Sequence, residues 1–259
     1  YEIVVVDDGS TDGTADVVRK TVETHPDHLR LLRLHANAGK GAALKMGVRE
    51  CLGDVILIAD ADGATDIRDL DRLLPALASS AVPVRGAPSA FAADGNGNGP
   101  SAGHAENIGE KLGMVVGSRA HLAKDSIAKR EFYRTVLMKG FHFYVQVLVT
   151  RSVQDTQCGF KLFTRRAGKA LFGTLHLYRW AFDTELIYLA EWLGVPIQEV
   201  SVNWHEVDGS KLIRNKLDVV TTSITMARDI LCMRLSYLLG MWEFPSVAPH
   251  TTYGTESEL

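Results

Sequence analysis

Two apolar, β-branched runs early in the chain each stop at a pair of aspartates. Residues 2–6 read EIVVV and lead into Asp7-Asp8-Gly9-Ser10-Thr11-Asp12-Gly13; residues 55–59 read VILIA and lead into Asp60-Ala61-Asp62-Gly63. A short apolar run ending in a turn cluster is a buried strand feeding a loop. Between the two runs, Ala15, Val18 and Val22 are spaced along one face of a helix over residues 14–24. Residues 29–34 form a further strand, and a helix over 42–51 follows the loop Asn37-Ala38-Gly39-Lys40-Gly41. Residues 66–77 are again helical. Apolar strands alternating with helices specify an α/β fold, a mostly parallel sheet flanked by helices. Such sheets bind ligands at the carboxyl ends of their strands, where both acidic clusters lie.

The remainder continues the pattern. Residues 79–106 are rich in Ala, Gly, Pro, Ser and Asn, including Asp94-Gly95-Asn96-Gly97-Asn98-Gly99-Pro100, and read as a disordered surface insertion. A strand over 114–116 ends at Gly117-Ser118-Arg119, and a long helix spans 129–150. Helices follow over 165–172 and 182–193, then a strand over 197–202 and a long helix over 217–239. The expected organisation is one domain over 1–242 with a flexible tail over 243–259.

With 259 residues, 46% of them hydrophobic, the chain is long enough for one sizeable α/β core. Lys+Arg 28 against Asp+Glu 31 gives a net charge of -3, so there is no basic field for nucleic acid. Cys51, Cys158 and Cys232 are too few and too scattered for a disulfide scaffold or a zinc site. No apolar run reaches about 18 residues, the length a spanning helix needs. Tyr1 opens directly onto a strand, so an upstream segment, with a possible anchor, is expected to precede it.

Asp60 and Asp62, at alternate positions on a strand end, project the same way. Two converging carboxylates call for a hard divalent cation, which also takes diphosphate oxygens. Asp7 and Asp8 suit acceptance from a nucleobase N–H, with Gly9 and Ser10 shaping the turn. The same residues also suit ordinary acidic turns and helix caps, and neither motif alone decides. Gly39-Lys40-Gly41 resembles a phosphate loop without the full Walker pattern. It leaves Lys40 either a nucleotide contact or a solvated lysine.

In order and spacing, Asp7 to Thr14, Asn37 to Gly41 and Asp60-Ala61-Asp62 resemble glycosyltransferase family 2. Gly117-Ser118-Arg119 and Asp155-Thr156-Gln157-Cys158-Gly159-Phe160-Lys161 are similar to its polyprenyl-phosphate branch. Within that branch, Arg179-Trp180-Ala181-Phe182-Asp183-Thr184-Glu185-Leu186 and Val202-Asn203-Trp204-His205-Glu206-Val207-Asp208-Gly209-Ser210-Lys211-Leu212 resemble the members that glucosylate dolichyl phosphate. The resemblance runs from Tyr1 to about Trp242 outside the insertion. The family's first strand and N-terminal membrane helix would both precede Tyr1.

The resemblance implies a GT-A, Rossmann-like fold and inverting transfer of glucose from UDP-glucose to dolichyl phosphate. The product would be dolichyl β-D-glucosyl phosphate for protein N-glycosylation. Asp60 and Asp62 would hold Mg²⁺ or Mn²⁺, and Asp7 or Asp8 the base. Arg119 would meet the acceptor phosphate, with Arg134 and Lys139 as its partners or else a solvated helix face. Asp62, Arg119, Asp155 and Arg134 are the catalytic candidates. Asp7, Asp8, Gly9, Ser10, Lys40, Asp60, Lys139, Gln157, Lys161 and Lys211 are the substrate-binding ones. Asp183 is a further acidic candidate, read first as the cap partner of its helix. The basic and aromatic residues over 129–144 suit a membrane surface, and the helix over 217–239 suits one likewise. The resemblance further implies an endoplasmic reticulum membrane protein with this domain in the cytosol. The alternatives are a mannosyl-transferring enzyme using GDP-mannose, a non-catalytic nucleotide-binding module, and a processive polysaccharide synthase. The last usually carries a Gln-x-x-Arg-Trp segment, absent here.

Overall fold

The computed structural model describes residues 1–84, 107–120, 132–205 and 216–246. Strand β1 (Ile3–Asp7) is followed by α1 (Thr14–Thr24), β2 (Leu29–Arg33), α2 (Lys40–Glu50) and β3 (Val55–Ile58). After a 3-10 turn (Ile67–Asp69) come α3 (Leu70–Ser80), β4 (Met114–Ser118) and α4 (Phe132–Leu148). Then β5 (Lys161–Thr164), α5 (Arg165–Thr174), α6 (Phe182–Leu193), β6 (Ile197–Ser201) and α7 (Lys216–Leu238) complete the fold. The α/β class expected from the alternating pattern is the one observed.

β1 and β2 pair in parallel as a separate ladder. The other four strands are ordered β3-β5-β4-β6, with β4 and β6 parallel and β5 antiparallel to both its neighbours. β3, β4 and β6 therefore point the same way, and their carboxyl ends share one sheet edge with the amino end of β5. The sequence pattern assigns no element to β5, because a lysine opens its four-residue run. All four of its residues are nevertheless buried.

Alternation along the strands feeds two cores. Val115 and Leu162 pack with Leu73 and Leu77 of α3 on one face. Met114, Val116 and Phe163 pack with Leu171 and Phe172 of α5, Leu186 and Ile187 of α6 and Ile230 of α7 on the other. Helices thus cover both faces. α4 lies along α7, where the Tyr144 hydroxyl donates to the Ala227 carbonyl at 2.7 Å.

The helix expected over 42–51 spans Lys40–Glu50 and the one expected over 66–77 starts only at Leu70, and the expected insertion and tail each begin within ordered structure. α3 continues through Ser80 and Val82 bridges Leu112, so the start of the 79–106 insertion belongs to the fold. Residues 85–106 lie outside the described residues. Phe244 stacks on Trp192 at 4.1 Å and on Tyr237 at 4.7 Å, so the expected tail begins docked. Residues 247–259 lie outside the described residues.

Lys161 is buried beneath the site edge and donates to Asp183 Oδ1 of α6 at 2.5 Å and to the Cys158 carbonyl at 2.6 Å. Burial pushes the Asp183 carboxyl above the usual carboxylate range, and the Lys161 ammonium opposes that shift. Removing one member of a buried ion pair strands the other, at a cost of about 3–5 kcal/mol, whereas an apolar replacement of both is often neutral. Lys161→Met should therefore lower the denaturant midpoint markedly, and Lys161→Met with Asp183→Leu should recover most of the loss. An acid whose folded-state pKa lies above its unfolded value stabilises the fold only while protonated, so the deficit of Lys161→Met should be smaller at acid than at neutral pH. A wild-type midpoint for Lys161→Met would mean that the pair contributes nothing.

Candidate active site

The two acidic strand ends do different work. At the end of β1, Asp7 is buried, and its Oδ1 accepts the Ser10 N–H at 2.9 Å while Arg33 Nε lies 3.3 Å from Oδ2. Hydrogen bonds from the Ser10 side chain and backbone hold the Asp7 carboxyl below its usual range. Asp8 Oδ1 and Oδ2 accept the backbone N–H of Ala38 and Gly39 at 2.8 and 2.9 Å. The turn between them passes through Gly9, packed against the Ala36 backbone. Each oxygen of Asp8 thus takes a backbone N–H of the 37–40 loop, whereas Asp7 holds its own turn at Ser10 and the Arg33 side chain.

At the end of β3, Asp60 and Asp62 are both exposed. Asp62 Oδ1 accepts the Ala64 N–H at 2.9 Å, and Asp60 Oδ1 pairs with Lys40 Nζ at 2.5 Å. Gly159 lies against Asp60 so closely that a Cβ there would collide with its carboxylate. The loop entering β5 is thereby closed onto the β3 end. Among the described residues no group of three or more His, Cys, Asp or Glu side chains gathers as a complete metal cage. Two exposed carboxylates at alternate positions nonetheless fit Mg²⁺ or Mn²⁺, because such ions take one or two carboxylates and complete their shell with water and substrate phosphates.

Across the same edge, at the end of β4, Arg119 grips Asp155. Its Nε and Nη2 donate to Oδ2 and Oδ1 at 2.8 and 2.9 Å, and its backbone N–H donates to Oδ2 at 2.9 Å. The Arg119 pKa is raised by its hydrogen bonds to Asp155. Burial alone would raise Asp155, but the hydrogen bonds and charge of Arg119 outweigh it and leave the carboxyl below its usual range. The Gln154 and Asp155 N–H groups are held in turn by Glu199 of β6, at 2.8 and 3.0 Å.

The segment leaving β6 completes the rim. Trp204 bridges Thr65, His205 N–H donates to the Ala64 carbonyl at 3.0 Å, and Asn203 is held by the buried Asp69. The guanidinium of Arg119 lies 5.5 Å from the Trp204 ring centroid, a cation–π contact. Asn203-Trp204-His205 thus joins the Asp60/Asp62 loop to the arginine bracket.

The other expected residues divide. Gln157 is exposed and its Nε2 lies 3.7 Å from Met226 Sδ. Lys161, expected at the substrate, is instead buried and taken up by Asp183 and a carbonyl. Asp183, expected as a cap partner, makes no capping bond; Ala181 occupies the N-cap, and Asp183 serves Lys161. Arg134 and Lys139 sit on α4, in a stretch whose side chains lie outside the described residues, as does Lys211. Sequence reasoning missed Trp204, Asp69 and Glu185 as supports; each is a lone polar or aromatic residue with at least one partner remote in sequence.

The family model for glycosyl transferase family 2 matches residues 1–172. Over 253 residues the chain is 44% identical to a dolichyl-phosphate beta-glucosyltransferase of Dictyostelium discoideum, covering 95% of this chain and 66% of that protein. The human protein of that name is 41% identical over 243 residues, covering 93% of this chain and 66% of that one. The Saccharomyces cerevisiae one is 35% identical, with 93% and 66% covered. The chain therefore spans about two thirds of the length of these curated relatives. Mannosyl-3-phosphoglycerate synthase from Rubrobacter xylanophilus shares the fold at a TM-score of 0.51 and 19% identity, with 94% of this chain and 66% of that one covered. The sheet edge, the acidic strand ends and these matches together make the chain a member of glycosyl transferase family 2.

Proposed function

We propose that this domain transfers glucose from UDP-glucose to the phosphate of dolichyl phosphate with inversion at the anomeric carbon. The observation that carries the reading is the meeting, on one sheet edge, of the exposed Asp60 and Asp62 with Arg119 held on Asp155. The first pair suits a metal–diphosphate and the second an acceptor phosphate. The relatives' name, shared over 93–95% of the chain, supports the sugar and the acceptor.

Asp60 and Asp62 would hold Mg²⁺ or Mn²⁺, which would supply positive charge to the leaving diphosphate. Lys40 supplies further positive charge beside the same carboxylates. Arg119 uses Nε and Nη2 on Asp155 and so presents Nη1 in a fixed orientation; a planar guanidinium held this way suits a phosphate. The acceptor phosphate oxygen attacks the anomeric carbon, and the bond to UDP breaks with its electron pair leaving on UDP. A phosphate monoester is already anionic at neutral pH, so the residues act by positioning and charge neutralisation rather than as a base.

A lipid-linked acceptor requires a surface that meets a bilayer. Ile224, Leu231, Leu235 and Leu238 are exposed on α7 at alternating spacings of three and four, with Arg228 in the same row. They form one apolar stripe suited to lying in an interface. Among the described residues no helix is long and apolar enough to cross a membrane.

Transfer of labelled glucose to dolichyl phosphate should require a divalent cation and fall at least about a hundredfold in Asp62→Ala, the loss expected when several kcal/mol of charge stabilisation disappears. GDP-mannose serves as the control donor. Preference for GDP-mannose would replace the glucose reading, and metal-dependent nucleotide binding without turnover would make the chain a binding module. Replacing Leu231 and Leu235 together by Asp should weaken sedimentation with phosphatidylcholine–phosphatidylserine vesicles by tenfold or more, since each buried leucine contributes roughly 1.5–3 kcal/mol. Unchanged sedimentation would assign the bilayer to another face.

A further inference from the structure

We infer that Glu185 is a positioning residue for the donor side of the site: its buried carboxylate fixes residues 176–178, and these in turn fix the turn that carries Lys40. The inference rests on the donor reading above.

Glu185 stands in the first turn of α6 and is wholly buried. Such a carboxylate is costly unless donors surround it. Here it accepts the backbone N–H of His176 at 3.1 Å, that of Leu177 at 2.6 Å and the Tyr237 hydroxyl of α7 at 2.7 Å. His176 Nδ1 lies 3.1 Å from Oε1, and its ring stacks on Trp242 at 4.3 Å. The bend between α5 and α6 is therefore built around one carboxylate.

The other side of this bend is the seat of α2. The Tyr178 carbonyl accepts the Gly41 N–H at 2.8 Å, and the Leu175 carbonyl accepts Lys45 Nζ at 3.0 Å. Lys45 Nζ also lies 5.5 Å from the Tyr178 ring centroid. Gly39, at φ 101°, approaches the Tyr178 carbonyl so closely that a Cβ would collide with it. Lys40 is strung between these two glycines, its ammonium 2.5 Å from Asp60 Oδ1 and 5.9 Å from the Phe182 ring centroid. With both flanking residues seated on Tyr178, a displacement of 176–178 displaces Lys40 relative to Asp60. Glu185 touches neither substrate nor Lys40 and acts through the backbone.

The test is binding of UDP-glucose in the presence of MnCl₂, measured by calorimetry on the chain and on Glu185→Gln, Tyr237→Phe, Lys40→Ala and the double variants, with thermal midpoints alongside. Glu185→Gln should weaken binding roughly tenfold and Tyr237→Phe a few-fold, as expected for altered hydrogen bonds to a buried charge. Both effects should vanish in the Lys40→Ala background, because coupled residues are non-additive. A lowered midpoint with unchanged affinity, or the same fold-change with and without Lys40, would overturn the inference. If Glu185→Gln does not fold, the Tyr237→Phe and Lys40→Ala cycle decides alone. Failure of the unmodified chain to bind UDP-glucose would remove the donor reading and this inference together, whereas binding with additive effects removes the inference only.

Discussion

A lysine ammonium inside a four-residue strand with no exposed position cannot stand alone in so dry a place, and the arrangement of the site follows from how it is matched. Lys161 opens β5, and its partner Asp183 comes from the start of α6, across the core from the strand. The same ammonium takes the Cys158 carbonyl and so folds back the loop before β5. That loop carries Gly159 against Asp60. One buried pair therefore sets the antiparallel strand, the start of a helix and the floor beneath an exposed carboxylate. Such pairs add little net stability over apolar residues, but they resist alternative packings in which either charge is left bare.

Antiparallel β5 has a second consequence. Strands β3, β4 and β6 deliver their carboxyl ends to one edge, and β5 enters the sheet from that edge. The residues preceding β5 are consequently placed among the strand ends rather than at the far side of the sheet. Asp155 reaches Arg119 across 36 positions of sequence because both flank this edge. Segment 203–205 reaches the Asp60/Asp62 loop for the same reason, β6 being the parallel neighbour of β4.

Much of this was legible in the chain itself. The apolar runs, their acidic ends and the helical periodicities give the alternation, and helix Phe182–Leu193 begins and ends where its pattern does. Asp60, Asp62 and Arg119 stand on the shared edge because strand ends are easily recognised, and Lys40 reaches Asp60 there from the start of α2. The misreadings have a common physical origin. A lysine in a candidate motif reads as a substrate contact, so Lys161 concealed both a buried strand and the role of Asp183. Remote partners are equally invisible locally: that Asp8 accepts the N–H of Gly39, 31 positions away, is decided by tertiary packing. Glu185 joins near donors at residues 176 and 177 to Tyr237, 52 positions away, and Asp69 holds Asn203 across 134; no local pattern encodes such partners.

Three pairs of like chemistry at one edge differ chiefly in exposure, and the difference sorts their roles. In Lys40–Asp60 the side chains are 37% and 36% exposed, in Arg119–Asp155 32% and 14%, and in Lys161–Asp183 1% and 10%. An exposed pair holds together weakly, within about 1 kcal/mol, so under the proposed function Lys40 and Asp60 would exchange each other for a diphosphate and a cation at little cost. The intermediate pair keeps its geometry through two side-chain bonds while leaving the guanidinium open to solvent on one side, the condition for presenting fixed positive charge. The innermost pair is sealed against exchange and serves as scaffold. The proposed transfer, which binds two anionic groups and releases one, would use all three kinds of charge: labile, oriented and immobile. Placing them at successive depths along one strand edge separates those tasks without requiring different residue types.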